Sequence, residues 1–293
     1  MTFAELETRL KSRKTPLAIC LPEDPETVTA AREASDLGYV DCLFVGREGP
    51  MRDALAKAAP GFSPRLVPVG SEEEAAARTV ALVRAGEAKA IMKGAVSTPV
   101  LLKAILNKET GIRQGNLLSH VLVYEWEGGL RLLTDGGLNP HPTVEEKLEI
   151  LTNAIAFARR LGIATPRAAI LSAAETVSFK MPSTMDAAVI AKMADRKQIA
   201  GCLVDGPLAL DNAISLESAH HKGLVNDVVG RADILVAPDI DTGNILGKSI
   251  MYFGKVPAGG VILGASVPVV MLSRSDDRQT RRNSIALALT GQE

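Results

Sequence analysis

Aromatic side chains are scarce in this sequence, 3% of the total, which removes the stacking platforms on which single-stranded nucleic acids lie. Excess charge is missing too. With 33 Lys and Arg against 34 Asp and Glu the net charge is -1, no electrostatic footprint for nucleic acid or for an anionic membrane. The three cysteines, Cys20, Cys42 and Cys202, lie inside apolar runs and form no CxxC pair. A disulfide framework is therefore excluded, and buried thiols in a reducing compartment are expected. No uninterrupted apolar run approaches a membrane span, and residues 1–7 lack the apolar stretch of a secretory signal, so a cytoplasmic location is expected. Neither GxxxxGK[ST] nor a GxGxxG after the first strand occurs, which argues against a Walker loop and a dinucleotide fingerprint.

What is abundant is Ala, Val, Ile and Leu, within a hydrophobic share of 46% over 293 residues. That suits helices layered on sheets and suffices for one large domain or two ordinary ones. Strand-like and helix-like segments alternate. Residues 16–21 read as a strand, followed by a helix opened by Asp24 and Pro25. A strand at 40–45 and a helix at 51–58 come next, then a strand at 65–69 and a helix at 71–85 with Ser71 and Glu74 as a capping box. Residues 88–92 form a strand ending in Lys93 and Gly94, before a helix at 97–106. This rhythm predicts an α/β fold with a largely parallel sheet covered on both faces. It changes at 115–138, where strands 117–126 and 130–134 flank the hairpin-like turn Glu127, Gly128, Gly129. The turn-rich run DGGLNPHP at 135–142 then predicts a domain boundary. Beyond it come a helix at 143–161 opened by the box Thr143 and Glu146, a strand at 167–171, a helix at 183–196, strands at 199–204 and 233–237, a helix at 243–253 and a strand at 260–263. The last unit is a strand at 267–272 with a helix running to about residue 289.

Three polar blocks follow strands in the second half: DGPLALDN at 205–212, PDIDTGN at 238–244 and SRSDD at 273–277. Polar turns at the ends of parallel strands are where open α/β sheets place ligands. Ser273 and Arg274, with a helix expected to start at once, outline an anion site: helix N–H groups carry partial positive charge, and a guanidinium grips two phosphate oxygens. Asp239, Gly243 and Asn244 sit in a second such turn, with Asp241 or Thr242 as the expected cap and Asp239 and Asp241 able to hold Mg²⁺ or act as a base. No His or Cys accompanies them, which argues against a transition-metal site. Lys93, Gly94, Ser97 and Thr98 repeat the strand–turn–helix grammar and could hold a phosphate or a carbonyl. Ser119 and His120 lie in the 117–126 strand, where a core histidine is the plainer account; His220 and His221 read as surface, and Glu175, which closes a strand, is a candidate for the cleft.

Taken together, DGPLALDNAIS, ADILVAPDIDTGNILGKS and the Ser273–Arg274 pair resemble the phosphate acetyltransferase and phosphate butyryltransferase family, with supporting matches in MKGAVST (92–98), LLSHV (117–121) and KMPSTMDAA (180–188). The resemblance runs from about residue 90 to about 290 and looks closer to the butyryl-type branch. It implies reversible transfer of a short acyl group between coenzyme A and inorganic phosphate, giving acyl phosphate. It also implies two α/β/α sandwich domains related to isocitrate and isopropylmalate dehydrogenases, with the site in the cleft between them. The domains would be 1–139 with 265–293, and 140–264. Homodimers, no catalytic metal and no tightly bound cofactor are implied, with acyl-CoA as substrate. Arg274 would hold the phosphate and carbonyl oxygens, assisted by Ser273. Substrate contacts are expected from Lys93, Gly94, Ser97, Thr98, Ser119, Asp239, Gly243 and Asn244. In acetyl-type members the proposed base is an aspartate about seven residues beyond this serine, which here is Thr280; Asp276 is the first choice in its place, with Asp277, Asp239 or a reaction that leans on electrostatics and proximity as alternatives. A metal-dependent decarboxylating dehydrogenase and a non-catalytic coenzyme A-binding module are the competing readings. Arg113, Arg131 and Arg278 are possible partners of coenzyme A.

Overall fold

A computed structural model describes residues 1–115, 117–273 and 276–291. In chain order its elements are α1 (Phe3–Leu10), β1 (Thr15–Cys20), α2 (Pro25–Asp36), β2 (Val40–Gly46), α3 (Glu48–Ala58), β3 (Arg65–Pro68), α4 (Glu72–Arg84), β4 (Ala90–Lys93) and α5 (Thr98–Leu106). There follow β5 (Ser119–Trp126), β6 (Gly129–Thr134), α6 (Val144–Arg160), β7 (Arg167–Leu171), α7 (Pro182–Asp195), β8 (Leu203–Leu208), α8 (Leu210–Ile214) and α9 (Leu216–His221). The chain closes with β9 (Ile234–Val236), α10 (Ile240–Tyr252), β10 (Ala258–Leu263), β11 (Val269–Met271) and α11 (Arg278–Ala288). The α/β class and the mainly parallel pairing expected from the alternation are both present.

Local chemistry accounts for most boundaries. Asp24 caps α2 by accepting from Thr27 N at 2.8 Å, with Pro25 at the first helical position. Thr143 and Glu146 close a complete capping box on α6. On α4 only half of the expected box forms: Ser71 Oγ accepts from Glu74 N, but the Glu74 carboxylate reaches Gly70 N instead of Ser71 N. The β5–β6 hairpin turns on Glu127 and Gly128, at φ 50° and 71°, between the paired residues Trp126 and Gly129. Two positive φ values in a two-residue loop match the right-handed twist of the strands.

The chain divides into two compact units, Phe3–Asn116 with Pro257–Glu293, and Leu117–Val256 with Met1–Thr2. In the first unit the strands run β3-β2-β1-β4-β11-β10, parallel except for β10, which is antiparallel to β11. In the second the order is β5-β6-β9-β7-β8, parallel from β6 onward with β5 antiparallel to β6. The boundaries expected at 139/140 and 264/265 thus fall at 116/117 and 256/257. β6 pairs in parallel with β9, which binds the hairpin to the second unit. At the other end, β10 is tied to α11 by Asn283 Nδ2 donating to Ala258 O and Gly260 N donating to Ser284 Oγ, both at 2.9 Å.

Three other expectations change. DGPL lies inside β8 and not beyond its end, because pairing with β7 continues past a register shift to Leu208. A Cβ on Gly206 would meet Ile170 at 2.9 Å, so this stretch of strand requires glycine. Strand β11 is shorter than 267–272. Finally, α1 has no counterpart in the sequence reading; it buries Phe3, Leu6 and Leu10 and pairs Glu7 with Arg282 of α11.

The Glu7 side chain is 13% exposed, so removing it leaves a half-buried guanidinium without its partner. Glu7→Ala should lower unfolding stability by about 1–3 kcal/mol, whereas Glu48→Ala, which breaks an exposed α3 pair with Arg52, should change it by less than about 0.5 kcal/mol. Urea denaturation of both variants checks the contrast.

Candidate functional site

In the first unit the parallel register ends three strands at one level: Cys20 of β1 and Met271 of β11 both pair with Lys93 of β4. The chain leaves β1 toward β2 and β3 on one side and returns to β4 on the other. β1 and β4 therefore flank the topological switch point, where open α/β sheets bind ligands. A cavity of about 400 Å³ lies there, lined by the start of α2, by Lys93, Gly94 and Ala95, by Leu272 and Ser273, and by Arg281.

The turn after β4 is stitched to the turn after β1: Gly94 N donates to Cys20 O at 2.9 Å and Ala95 N to Leu21 O at 2.7 Å. A Cβ on Gly94 would stand 2.3 Å from Leu21 O, so the approach admits only glycine. Lys93 Nζ donates to the neighbouring Gly94 O at 3.2 Å and, among the described residues, joins no ion pair. Its charge is thereby available to the cavity. Ser97 and Thr98 start α5 outside the lining; Ser97 N donates to the Glu72 carboxylate, and that bond, with a second from the Ser97 side chain, pulls Glu72 below the usual carboxylate range.

The segment after β11 departs from the expectation of a helix beginning directly after Ser273 and Arg274. Ser273 N donates to Asp276 Oδ2 at 2.8 Å and Asp276 N donates back to Ser273 O at 3.1 Å. Asp277, not Ser273, is then the N-cap of α11, accepting from Thr280 N at 2.7 Å. The N-terminus of that helix is already served by a carboxylate. Arg274 lies outside the described residues. Asp276 lines a neighbouring cavity of about 290 Å³ with Glu33 and Arg278, which pair at 2.8 Å. Arg281 is the residue the sequence reading missed: one turn into α11, its guanidinium reaches Glu26 Oε2 at 2.8 Å and lines the larger cavity. Reading Asp277 as the cap would have placed position 281 over the strand ends.

In the second unit the remaining expected residues surround the loop 135–139. Buried Asp135 accepts from Gly137 N, Leu138 N, His120 N and Asn139 Nδ2, at 2.6 to 3.0 Å. Gly243 packs on that loop so closely that a Cβ would lie 2.3 Å from Asp135 O, and Asn244 Nδ2 donates to Gly136 O at 2.9 Å. Ser119 Oγ, buried, accepts from Asn153 Nδ2 at 3.0 Å. Asp239 is the N-cap of α10, accepting from Thr242 N at 2.8 Å, where Asp241 or Thr242 was expected. Burial alone would raise the Asp239 carboxyl, but the Thr242 bonds, with His141 and Lys147 nearby, hold it below its usual range. Glu175 is paired with Lys222 at 3.2 Å, and Arg131 lies 3.8 Å from Asp233. Among the described residues no three His, Cys, Asp or Glu side chains gather as a metal cage.

Hydrogen bonds from Thr280, its backbone N–H first, hold Asp277 below the ordinary aspartate range. The stabilisation this brings is present above the unfolded pKa of ~3.9 and is lost as pH falls through the lower folded value. Asp277→Ala should cost about 1 kcal/mol near neutral pH. Asp277→Asn keeps a capping oxygen and should remove this residue's share of the acid-side slope, read from urea melts as a function of pH.

A family profile described as phosphate acetyl/butaryl transferase matches residues 70–289. The phosphate butyryltransferase of Clostridium acetobutylicum is 41% identical over 291 residues, covering 98% of this chain and 97% of its own. The phosphate acetyltransferase of Rhizobium meliloti is 40% identical over 270 residues, 91% of this chain and 85% of its own. Among solved structures, a branched-chain phosphotransacylase from Enterococcus faecalis V583 superposes with a TM-score of 0.83 at 33% identity, covering 94% of this chain and 98% of that one. A profile match over most of the chain and relatives aligned almost end to end carry one conclusion: the chain belongs to the phosphate acetyl/butaryl transferase family.

Proposed function

We propose that this protein is a phosphate acyltransferase that moves a short acyl group reversibly between coenzyme A and inorganic phosphate. The observation that carries the reading is the meeting of Lys93, Gly94 and Ser273 around one cavity at the switch point, in a chain whose relatives are phosphate butyryl- and acetyltransferases. A lysine that joins no ion pair among the described residues and a turn that tolerates no side chain suit an anion that must come close to the backbone.

In the direction of acyl-CoA synthesis the thiol sulfur attacks the carbonyl carbon of the acyl phosphate, the carbon–oxygen bond to phosphate breaks, and the phosphate leaves with the electron pair. A free thiol has a pKa near ~8.5, so a base or a cationic field must favour the thiolate. Asp276 is assigned the thiol proton: its Oδ2 holds Ser273 N–H, while Oδ1 has no hydrogen-bond partner among the described residues. Arg274 and Ser273 are assigned the phosphate and the developing oxyanion. Acyl transfer through a protein cysteine is disfavoured, because burial pushes the Cys20, Cys42 and Cys202 thiols up to about 12; direct transfer between two bound substrates draws its rate from proximity instead.

No observation favours the dehydrogenase reading: Asp239, one of its two metal carboxylates, serves as a helix cap, and the relatives are phosphate acyltransferases. We place the protein in the cytoplasm, with acyl-CoA as substrate and no tightly bound cofactor. The unreactive cysteines suit a reducing compartment, and no helix among the described residues is long and apolar enough to cross a membrane. A homodimer is proposed as the working form, supported by large apolar side chains left in solvent on α10 and at its end: Ile245, Tyr252 and Phe253, the last 88% exposed.

Phosphate-dependent release of coenzyme A from acetyl-, propionyl- and butyryl-CoA tests the activity and ranks chain length. Arg274→Ala should lower turnover by about 10²–10³-fold; near-normal turnover would sink its assignment. Light scattering on the purified protein should give twice the chain mass, and a monomer mass overturns the dimer.

A further inference from the structure

We infer that Arg281 is a second guanidinium for inorganic phosphate and that Glu26 competes with the phosphate for it, so that this ion pair sets the affinity of the cavity for its anion. The inference rests on the phosphate acyltransferase reading and assigns two residues that no motif marks.

Three arginines of α11 each meet a carboxylate: Arg278 with Glu33, Arg281 with Glu26, and Arg282 with Glu7. They are not equivalent. Arg278 is almost fully exposed, and Arg282 is braced against α1; neither lines the larger cavity. Arg281 is 16% exposed, and its guanidinium stands in the wall shared by that cavity and the smaller one. Its Nε is buried and, among the described residues, accepted by no oxygen. A buried guanidinium N–H without an acceptor shows that Glu26 does not use all of this arginine's hydrogen-bonding capacity.

Glu26 is the weaker holder of the two. It occupies the first turn of α2 and is 61% exposed, and exposed carboxylates bind guanidinium groups feebly. Phosphate brings more charge and more acceptor oxygens than a carboxylate, and the planar fork of arginine matches it bidentately. Among the described residues the other charged groups lining the cavity are Lys93 and Asp24. Asp24 is engaged by Thr27 through both its oxygens, at 2.8 and 2.7 Å, so Glu26 is the acid able to yield. A carboxylate that must be displaced raises the phosphate concentration needed for half-saturation, and it leaves with the phosphate a site whose charge is still partly balanced.

The test compares steady-state constants of the full-length enzyme with Arg281→Gln, Arg281→Lys and Glu26→Gln. Arg281→Gln should raise KM for phosphate by about tenfold or more while KM for acyl-CoA stays within about twofold, with Arg281→Lys in between. Glu26→Gln should move KM for phosphate the other way, down severalfold. Opposite signs separate competition from a merely structural pair, for which both variants would weaken the protein together. The inference is overturned if both variants shift KM for phosphate in the same direction, or if Arg281→Gln leaves it unchanged. Phosphate-dependent rise of the melting temperature, without acyl-CoA, gives a second readout. If that rise exists in the unaltered protein and is lost in Arg281→Gln while no acyl transfer is found, the inference stands and the acyl transferase reading falls. If the rise is equal in both, the inference falls whatever the activity. Should Arg281→Gln fail to fold, Arg281→Lys and Glu26→Gln still decide the sign.

Discussion

The parallel register that brings β1, β4 and β11 to a common end is the constraint on which the site in the first unit depends. Because Cys20, Lys93 and Met271 stand side by side, the next residues of all three strands emerge into the same small volume. Two backbone hydrogen bonds then lock the turn after β4 onto the turn after β1, and the absence of a side chain at Gly94 lets them close. Shift any one strand by a residue and each side chain moves to the other face of the sheet; Lys93 would leave the cavity and enter the core or the opposite layer.

Charge in this unit is arranged by the same logic. Parallel strands need helices on the faces, and the helix starts fall at the strand ends. Aspartates at 24 and 277 serve those starts, so their carboxylates are engaged by backbone N–H groups. Among the described residues, what remains toward the cavity is Lys93, Arg281 and the exposed Glu26. In the second unit a carboxylate plays a different part. Asp135 accepts four hydrogen bonds that tie the 135–139 loop together, and Gly243 and Asn244 rest on that loop.

Much of this was legible from residues alone. The alternation of apolar and capped segments located most strands and helices to within a few positions, because buried parallel strands read as continuous apolar runs and capping residues announce helix starts. Lys93, Gly94 and Ser273 follow such strands in the sequence, and they line one cavity. The misses have physical causes. Helix α1 is short, and its stability comes from burying Phe3, Leu6 and Leu10 and pairing Glu7, contacts remote in sequence. The strand β8 was cut short at Val204 because Gly and Pro read as turn residues, whereas pairing with β7 carries it through both. Asp276 and Asp277 read as interchangeable acids, yet one accepts from Ser273 N and the other caps a helix.

The sequence by itself determined the α/β class, the family, and which strand ends carry polar chemistry, since these follow from local periodicity, caps and contiguous motifs. The tertiary structure alone decided which strands are neighbours, that the hairpin belongs with the second unit, and that Arg281 of the last helix meets Glu26 at the start of α2. Local propensity acts over a few residues, but a cavity wall is assembled from segments hundreds of positions apart, and their juxtaposition is fixed by hydrogen-bonded register and core packing, which no single segment encodes.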